Sequence, residues 1–214
     1  MEVNSNQNNN ALVEGREKWK IWPMHEVLYI ECINTASLNA IKSWEALNEI
    51  ISDEDLLRNK LDELIDLAEN IVNQAGIISK YFFPPVNVKN PKKQIHKLRG
   101  EKLREAFGID ESQRISDRTF RNYIEHFDEK LDLFLENQIA GNIIPPKLTY
   151  VTSDALSKIM FVYKAYIINE FKYISLNEQI VLPGLVKEIY GVHEKCLEFM
   201  NNGGRLKRNT ASKL

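Results

Sequence analysis

Two long stretches with apolar residues at three- and four-residue spacing constrain the fold of this chain most. The first, His25–Ile50, follows Pro23, and the second, Ser52–Phe83, ends at two consecutive prolines. This spacing is typical of amphipathic helices, and proline stops a helix. The predicted buried positions are Val27, Ile30, Ile33 or Asn34, Leu38, Ile41 and Trp44 in the first stretch, and Leu57, Leu61, Leu64, Ile65, Leu67 or Ala68, Ile71, Val72, Ile78 and Phe82 in the second. Since only a short link separates them, with Ser52 as the expected N-cap of the second, we expect an antiparallel pair.

Two further helices are predicted in the middle of the chain. One covers about Lys92 to Phe107, is weakened or broken at Gly100, and stops at Gly108. The next begins near Ser116 or Asp117 and fades around Asn137. The segment 140–150, with its glycine and two prolines, is typical of a loop.

The C-terminal part has a different pattern. Residues 159–182 are rich in Ile, Val, Tyr and Phe, and Asn169-Glu170 and Asn177-Glu178 resemble turn positions. We therefore expect a small β-hairpin or three short strands. A last helix is predicted from Pro183 to Met200, with Leu185, Ile189, Val192, Cys196 and Phe199 on its buried face. The fold class is thus mainly α: an antiparallel helical bundle with a small β-hairpin before the last helix.

The two ends have the composition of tails. Residues 1–15 are rich in asparagine and poor in apolar residues, and residues 201–214 contain a Gly-Gly pair followed by basic residues. Such segments bury too little apolar surface to order themselves. We expect one domain over residues 16–200, with its hairpin near 159–182, between a disordered N-terminal tail and a flexible basic C-terminal tail.

Composition and simple motifs narrow the functional classes. The formal net charge is -2, so no overall basic field would attract nucleic acid. Cys32 and Cys196 are far apart and fit buried free thiols, and no Cys/His spacing predicts a metal site. We expect no cofactor, no membrane span and a cytoplasmic protein. The phosphate-binding, dinucleotide-binding, zinc-protease and hydrolase signatures are missing from the sequence.

The predicted fourth helix, which contains RNYIEH, has one apolar and one polar side. At about 100° per residue, one arc holds the apolar residues and the opposite side holds the polar ones. The apolar set is Phe120, Tyr123, Ile124, Phe127, Leu131, Phe134 and Leu135, and the polar set is Arg118, Arg121, Asn122, Glu125, His126 and Glu129. Arg121 and His126, five residues apart, are separated by about 140° around the helix axis on a helical wheel. They are either two residues of a solvated face or a catalytic pair, and a catalytic pair requires a second copy of this face, as in a two-fold dimer.

Arg121, Asn122 and His126 resemble the defining motif of the HEPN family, which is an arginine, four to six residues and a histidine, with a polar residue directly after the arginine. The longer string RNYIEHFDEKLD is also similar to a group of bacterial HEPN-like proteins with RN…EHFDE at this place. The resemblance covers roughly Trp22 to Glu136 and leaves out the C-terminal hairpin and last helix.

The resemblance implies a dimeric helical bundle. Many HEPN proteins are metal-independent endoribonucleases of toxin–antitoxin or phage-defence systems, whose two motif copies meet at the dimer interface. Others are non-catalytic and bind a nucleotidyltransferase or another partner. Both functions stay open here, as does a helical scaffold in which the motif arises by chance.

The residue types suit RNA cleavage without a metal. Histidine, with an ordinary pKa of about 6.5, can transfer protons near neutral pH. Arginine can hold a phosphate and offset the charge of the transition state. His126 and Arg121 would take these roles, and Asn122 would orient the imidazole or bind a phosphate oxygen. Glu125 would repel a phosphate, which disfavours catalysis.

A basic run, Lys89–Arg104, is the second candidate feature. With Arg118, its residues Lys92, Lys93, Lys97 and Arg99 are the predicted RNA-binding set. As a backbone-phosphate track this run would make binding sensitive to salt. The alternative is a solvated face, or a partner for the acidic residues Asp62, Glu63, Asp66 and Glu69 of the second helix.

Overall fold

The computed structural model describes residues 21–85, 91–117, 119, 122, 126–136, 142–143, 148–150, 152, 160–176 and 178–206. The helices within these ranges are α1 (Pro23–Ser52), α2 (Glu54–Asn59), α3 (Leu61–Phe82), α4 (Pro91–Phe107), α5 (Phe127–Glu136) and α6 (Leu182–Asn201). The strands are β1 (Asn142–Ile143), β2 (Leu148–Tyr150), β3 (Met160–Phe161), β4 (Lys164–Ile167), β5 (Lys172–Ser175) and β6 (Glu178–Val181). The mainly helical fold with a small sheet before the last helix is confirmed.

Helix α1 lies at the centre, between α3 and α6. The rings of Tyr29 and Tyr81 are 6.3 Å apart, and further along α1 the amide of Asn70 donates to the hydroxyl of Ser43 at 2.8 Å. Residue numbers rise along α1 as they fall along α3, so the two helices are antiparallel, as predicted. On the other side of α1, about 200° around the helix from Ser43, the hydroxyl of Tyr190 on α6 donates to the carboxylate of Glu45 at 3.4 Å.

Several predicted buried positions of α1 are correct, and two are wrong. Ile33, rather than Asn34, is fully buried, and Ile30 and Ile41 are buried as well. Val27 is exposed, and so is Cys32, which was expected to be a buried thiol. Cys32 precedes Ile33, and one position turns the side chain about 100° around the helix, which places it on the outer side.

The second predicted helix is two helices in the structure. Asp53, not Ser52, is the N-cap, and its carboxylate accepts hydrogen bonds from the N–H groups of Asp55 and Leu56. Ser52 belongs to α1 and its hydroxyl donates to the carbonyl of Asn48. Lys60 then separates α2 from α3, which ends before the two prolines.

Helix α4 continues without a break through Gly100, where the sequence predicted that it would be weakened or broken. A Cβ atom at Gly100 would lie 2.6 Å from Cδ of Pro84 and 2.7 Å from the carbonyl oxygen of Phe82. The glycine therefore lets α4 approach the end of α3. Gly108 has a φ of +69°, and the N–H of Ile109 donates to the carbonyl of Arg104, which closes the helix as predicted.

The sheet has the strand order β2-β4-β5-β6, with β2 parallel to β4 and the other neighbours antiparallel. The strands β4 to β6 are the three short strands expected near 159–182. The turn after β4 lies at Ile168–Glu170, near the predicted Asn169-Glu170, whereas Asn177 lies outside the described residues. The segment 140–150, expected to be a loop, contains β1 and β2.

The two faces of the sheet are buried in different places. Tyr166, Tyr173 and Ile180 join the main helical core, whereas Ala165, Ile167 and Ile174 form a small second cluster with Val162. The alternation follows from the two-residue period of a strand.

Packing continues past the predicted end of the domain at residue 200. The N–H of Leu206 donates to the carboxylate of Glu26 at 3.0 Å, and the side chain of Leu206 is buried. Residues 201–206 are therefore part of the packed structure, and residues 1–20 and 207–214 lie outside the described residues. No helix within the described ranges is both long enough and apolar enough to cross a membrane.

Candidate functional site on the segment Asn122–Lys130

The chain that leads to the candidate site is fixed to α6 by a carboxylate. The N–H groups of Arg114 and Ile115 donate to the two oxygens of Glu188, each at 2.9 Å. Ile115 is fully buried, and the side chain of Arg114 passes so close to Gly184 that a Cβ there would lie 2.7 Å from its Nε. This turn therefore sets the starting point of the next segment.

The predicted start of the fourth helix agrees with the described residues. Ser116 ends a 3-10 turn, and the carboxylate of Asp117 accepts a hydrogen bond from the N–H of Thr119 at 2.8 Å. Thr119 and Asn122 are helical. Asp117 thus has the geometry of an N-cap residue.

Asn122 and His126 are exposed and one helical turn apart. The N–H of His126 donates to the carbonyl of Asn122 at 3.1 Å, and the N–H of Lys130 donates to the carbonyl of His126 at 3.0 Å. The chain bends at His126, and α5 begins at the next residue. The two predicted site residues therefore lie on one solvent-facing side of the chain.

The imidazole of His126 contacts a carboxylate. Its Nδ1 lies 3.3 Å from Oε2 of Glu129, and the two side chains are 51% and 73% exposed. The contact is an ion pair only when the imidazole is protonated. Glu129 was predicted on the same polar side, and its exposure agrees with that.

The remaining members of the predicted site lie outside the described residues. These are Arg121, Arg118 and Glu125. The described part of the site is therefore Asn122, His126 and Glu129. Among the described residues, no group of three or more His, Cys, Asp or Glu is placed to hold a metal ion.

The sheet holds the segment after His126, which the sequence patterns did not indicate. The ring of Phe127 packs edge-on against Tyr163, with centroids 6.0 Å apart, and Nζ of Lys164 lies 5.2 Å from the centre of the Phe127 ring. Lys130 pairs with Glu178 of β6 at 3.1 Å.

Leu135, expected in the core, is exposed, because Phe127, Leu131 and Phe134 form the narrower stripe that faces the protein.

Arg99, predicted to bind RNA, is used inside the fold. Its guanidinium lies 5.5 Å from the ring centre of Tyr81 and 6.0 Å from that of Tyr29, and Nη2 donates to the carbonyl of Lys80 at 2.9 Å. Burial lowers the pKa of this guanidinium. Arg99 therefore caps the carbonyl end of α3, where a cation is favourable.

Other cations of the basic run have internal partners too. Arg104 donates to the carbonyl of Phe82 and lies over the ring of Phe83, 4.9 Å from its centre. Lys102 pairs with the buried carboxylate of Glu26 at 3.6 Å. These partners are not the acidic residues of the second predicted helix, which the sequence offered as one alternative for this run.

Lys97 is the predicted RNA-binding residue that the structure describes at the surface. Its Nζ lies 3.7 Å from Oε1 of Glu101. The two residues border a groove of about 380 Å³ lined by Phe83, Pro84, Lys97, Glu101, Arg104, Glu111 and Ser116. Lys92 and Lys93 lie on α4, and their side chains are outside what the structure describes.

Comparison of the chain with protein-family models, with curated proteins and with solved structures found no match. The resemblance to the HEPN family, and the roles that it implies for Arg121, Asn122 and His126, stay predictions from the sequence.

Proposed function

We propose that this protein is a HEPN-like, metal-independent endoribonuclease of toxin or phage-defence type. The observation that carries the proposal is the exposure of Asn122 and His126 on one side of the chain, joined by the hydrogen bond from the His126 N–H to the Asn122 carbonyl. An exposed polar side is what a catalytic face requires before a second subunit completes it. The mainly helical fold is compatible with this family.

The proposed chemistry begins at the ribose 2′-hydroxyl. His126 accepts its proton as the oxygen attacks the adjacent phosphorus, so the P–O5′ bond breaks and leaves a 2′,3′-cyclic phosphate. Arg121 binds the phosphate and offsets the charge that develops on it, and Asn122 orients the imidazole or donates to a phosphate oxygen. A protonated histidine, either His126 itself after it has taken the proton or the histidine of the partner copy, returns a proton to the leaving oxygen.

The proposal includes a homodimer and a cytoplasmic location. Two copies of the polar side facing across a two-fold axis would bring two arginines and two histidines together. Lys97, Lys92, Lys93 and Arg118 would guide the RNA backbone to this cleft. An antitoxin or another inhibitor of the dimer cleft is the corresponding partner.

The test is cleavage of single-stranded RNA in EDTA by the wild type and by Arg121→Ala and His126→Ala. Two matched controls are Arg58→Ala, whose side chain is exposed on α2, and His25→Ala, which is partly exposed at the start of α1. The proposal expects both site variants to lose cleavage by at least a hundredfold and both controls to keep it. Cleavage that persists in the site variants would refute it.

Mixing the two inactive variants tests whether the site is shared. A mixed dimer keeps Arg121 in one subunit and His126 in the other, so a shared cleft regains part of the activity. The molar mass in solution gives the second readout. A monomer at micromolar concentration would contradict a composite site and favour a helical scaffold in which the motif arose by chance.

A non-catalytic HEPN-like module that binds a nucleotidyltransferase or another protein is the second candidate. The contact between His126 and Glu129 favours it, because a carboxylate 3.3 Å from the imidazole repels an incoming phosphate. The use of Arg99 and Lys102 inside the fold favours it as well. An intact dimer without RNA cleavage, also in Glu129→Gln, would support this second function.

A further inference from the structure

His126 owes little of its position to its own side chain. Within the described residues, its imidazole has the exposed carboxylate of Glu129 as its contact, and the chain bends at this residue. An exposed ion pair of this kind is weak and screened by salt. The direction of the imidazole therefore depends on how the neighbouring backbone is held.

The first contact that fixes this backbone involves Phe127, one residue after His126. Nζ of Lys164 lies 5.2 Å from the ring centre of Phe127 and 5.5 Å from that of Tyr163, and the two rings are themselves in edge contact. Lys164 is fixed in turn, since its Nζ donates to both oxygens of Glu69 on α3, at 2.6 and 2.8 Å. Lys164 and Glu69 are largely buried, with 12% and 23% of their side chains exposed.

The second contact that fixes this backbone involves Lys130, one helical turn after His126. The N–H of Lys130 donates to the carbonyl of His126 at 3.0 Å, and the side chain of Lys130 pairs with Glu178 at 3.1 Å. Glu178 on β6 and Lys164 on β4 both lie opposite Ser175, which is on the central strand β5. Both contacts therefore join the segment after His126 to the same end of the sheet.

We propose that the sheet β4–β6 is a platform that positions His126, with Lys164 and Lys130 as its positioning residues. This inference rests on the proposed function for its catalytic consequence. The two ion pairs fix the backbone on the C-terminal side of the bend and so limit the positions that the imidazole can take. Displacing a reacting group by about 1 Å costs roughly a hundredfold in rate, so such a platform matters for turnover.

The experiment compares Lys164→Met, Glu178→Gln and Lys130→Met with matched changes in an ion pair confined to α6. That control pair is Lys195 with Glu198, 3.0 Å apart, changed as Lys195→Met and Glu198→Gln. Each protein is measured by the NMR signals of the His126 imidazole and of the 126–130 amides, and by kcat and KM on single-stranded RNA. Lys130→Arg, which keeps the charge beside Glu178, is the conservative variant.

The platform variants are expected to shift or broaden the His126 signals and to lower kcat about tenfold to a hundredfold, with KM within about twofold. Lys130→Arg and both controls are expected to stay near wild type. Unchanged His126 signals in Glu178→Gln and Lys130→Met would overturn the inference, even if Lys164→Met fails to fold. If the wild type does not cleave RNA, altered His126 signals would keep the platform while the proposed function fails. Active protein with unaltered kcat in the variants would refute the platform alone.

Discussion

Replacing Gly100 by alanine gives two opposing effects whose magnitudes the structure separates. In a helix interior alanine is favoured over glycine by about 0.8–1 kcal/mol. At Gly100, however, the new Cβ would lie 2.6 Å from Cδ of Pro84 and 2.7 Å from the Phe82 carbonyl oxygen. The carbonyl is backbone at the end of α3 and also accepts a hydrogen bond from Arg104, so it yields little.

Overpacking costs about 1–3 kcal/mol, and because the clash is with a backbone carbonyl we take the upper part of that range, about 2–3 kcal/mol, which exceeds the gain in helix propensity by about 1–2 kcal/mol. We therefore expect Gly100→Ala to lower the free energy of unfolding by about 1–2 kcal/mol. For a chain of this size that is a fall in Tm of roughly 2–8 °C. Urea and thermal unfolding, followed by circular dichroism, measure both quantities.

Gly191→Ala is the matched control, because Gly191 also lies inside a helix, α6, but no atom of the described part of the chain lies within 4 Å of its Cβ position. The propensity term acts alone there, so we expect a gain of about 0.5–1 kcal/mol. The two substitutions are chemically identical and should change stability in opposite directions. If Gly100→Ala is as stable as the wild type or more so, the close approach of α4 to the end of α3 is not the reason for this glycine.

Three further predictions concern buried polar groups. Burial raises the pKa of the Cys196 thiol to about 12. At pH 8 a thiol reagent should therefore modify the exposed Cys32 and leave Cys196 unmodified until the protein is unfolded, which mass spectrometry measures. Rapid labelling of both cysteines in the folded protein would contradict this. Among the described residues the buried hydroxyl of Tyr166 finds no hydrogen-bond partner, so Tyr166→Phe should leave stability equal or raise it by about 1 kcal/mol at pH 7. Burial raises the pKa of Tyr166 in the folded protein, so above about pH 10 the hydroxyl ionises in the unfolded chain but not in the folded one. The wild type therefore loses free energy of unfolding as the pH rises above about 10, whereas Tyr166→Phe does not, and the advantage of the variant should widen there. Glu26→Ala removes the acceptor of the Leu206 N–H and the partner of Lys102, and should cost about 2–3 kcal/mol in urea unfolding, whereas Glu54→Ala, in an exposed pair, should cost much less.

Local sequence patterns predicted the elements whose stability is local. The apolar spacing gave α1, α3 and α6 and most of their buried residues, and the wheel placed Asn122, His126 and Glu129 on an exposed side, as the structure has them. The separation of α2 from α3 at Lys60 was missed, because the apolar spacing continues across it. Gly100 was misread because its reason is a neighbour on another helix.

The supports of the candidate site are invisible to such patterns. Glu188 binds a turn more than 70 positions earlier in the chain, and Glu69 pairs with Lys164 across 95 positions. No helical or strand period relates residues this far apart. Cations such as Arg99 also read as free surface charge in the sequence, whereas the fold brings them to the carbonyl end of α3.

The central place of α1 has a consequence for synthesis of the chain. One side of α1 packs on α3, which follows at once, but the other packs on α6, which begins about 130 residues after α1 ends. At roughly 5–20 residues per second, the ribosome needs between about 6 and 26 seconds to supply that helix. During this interval the side of α1 that later packs on α6 stays uncovered in the nascent chain, so this apolar surface is exposed to aggregation and to any chaperone that binds apolar segments.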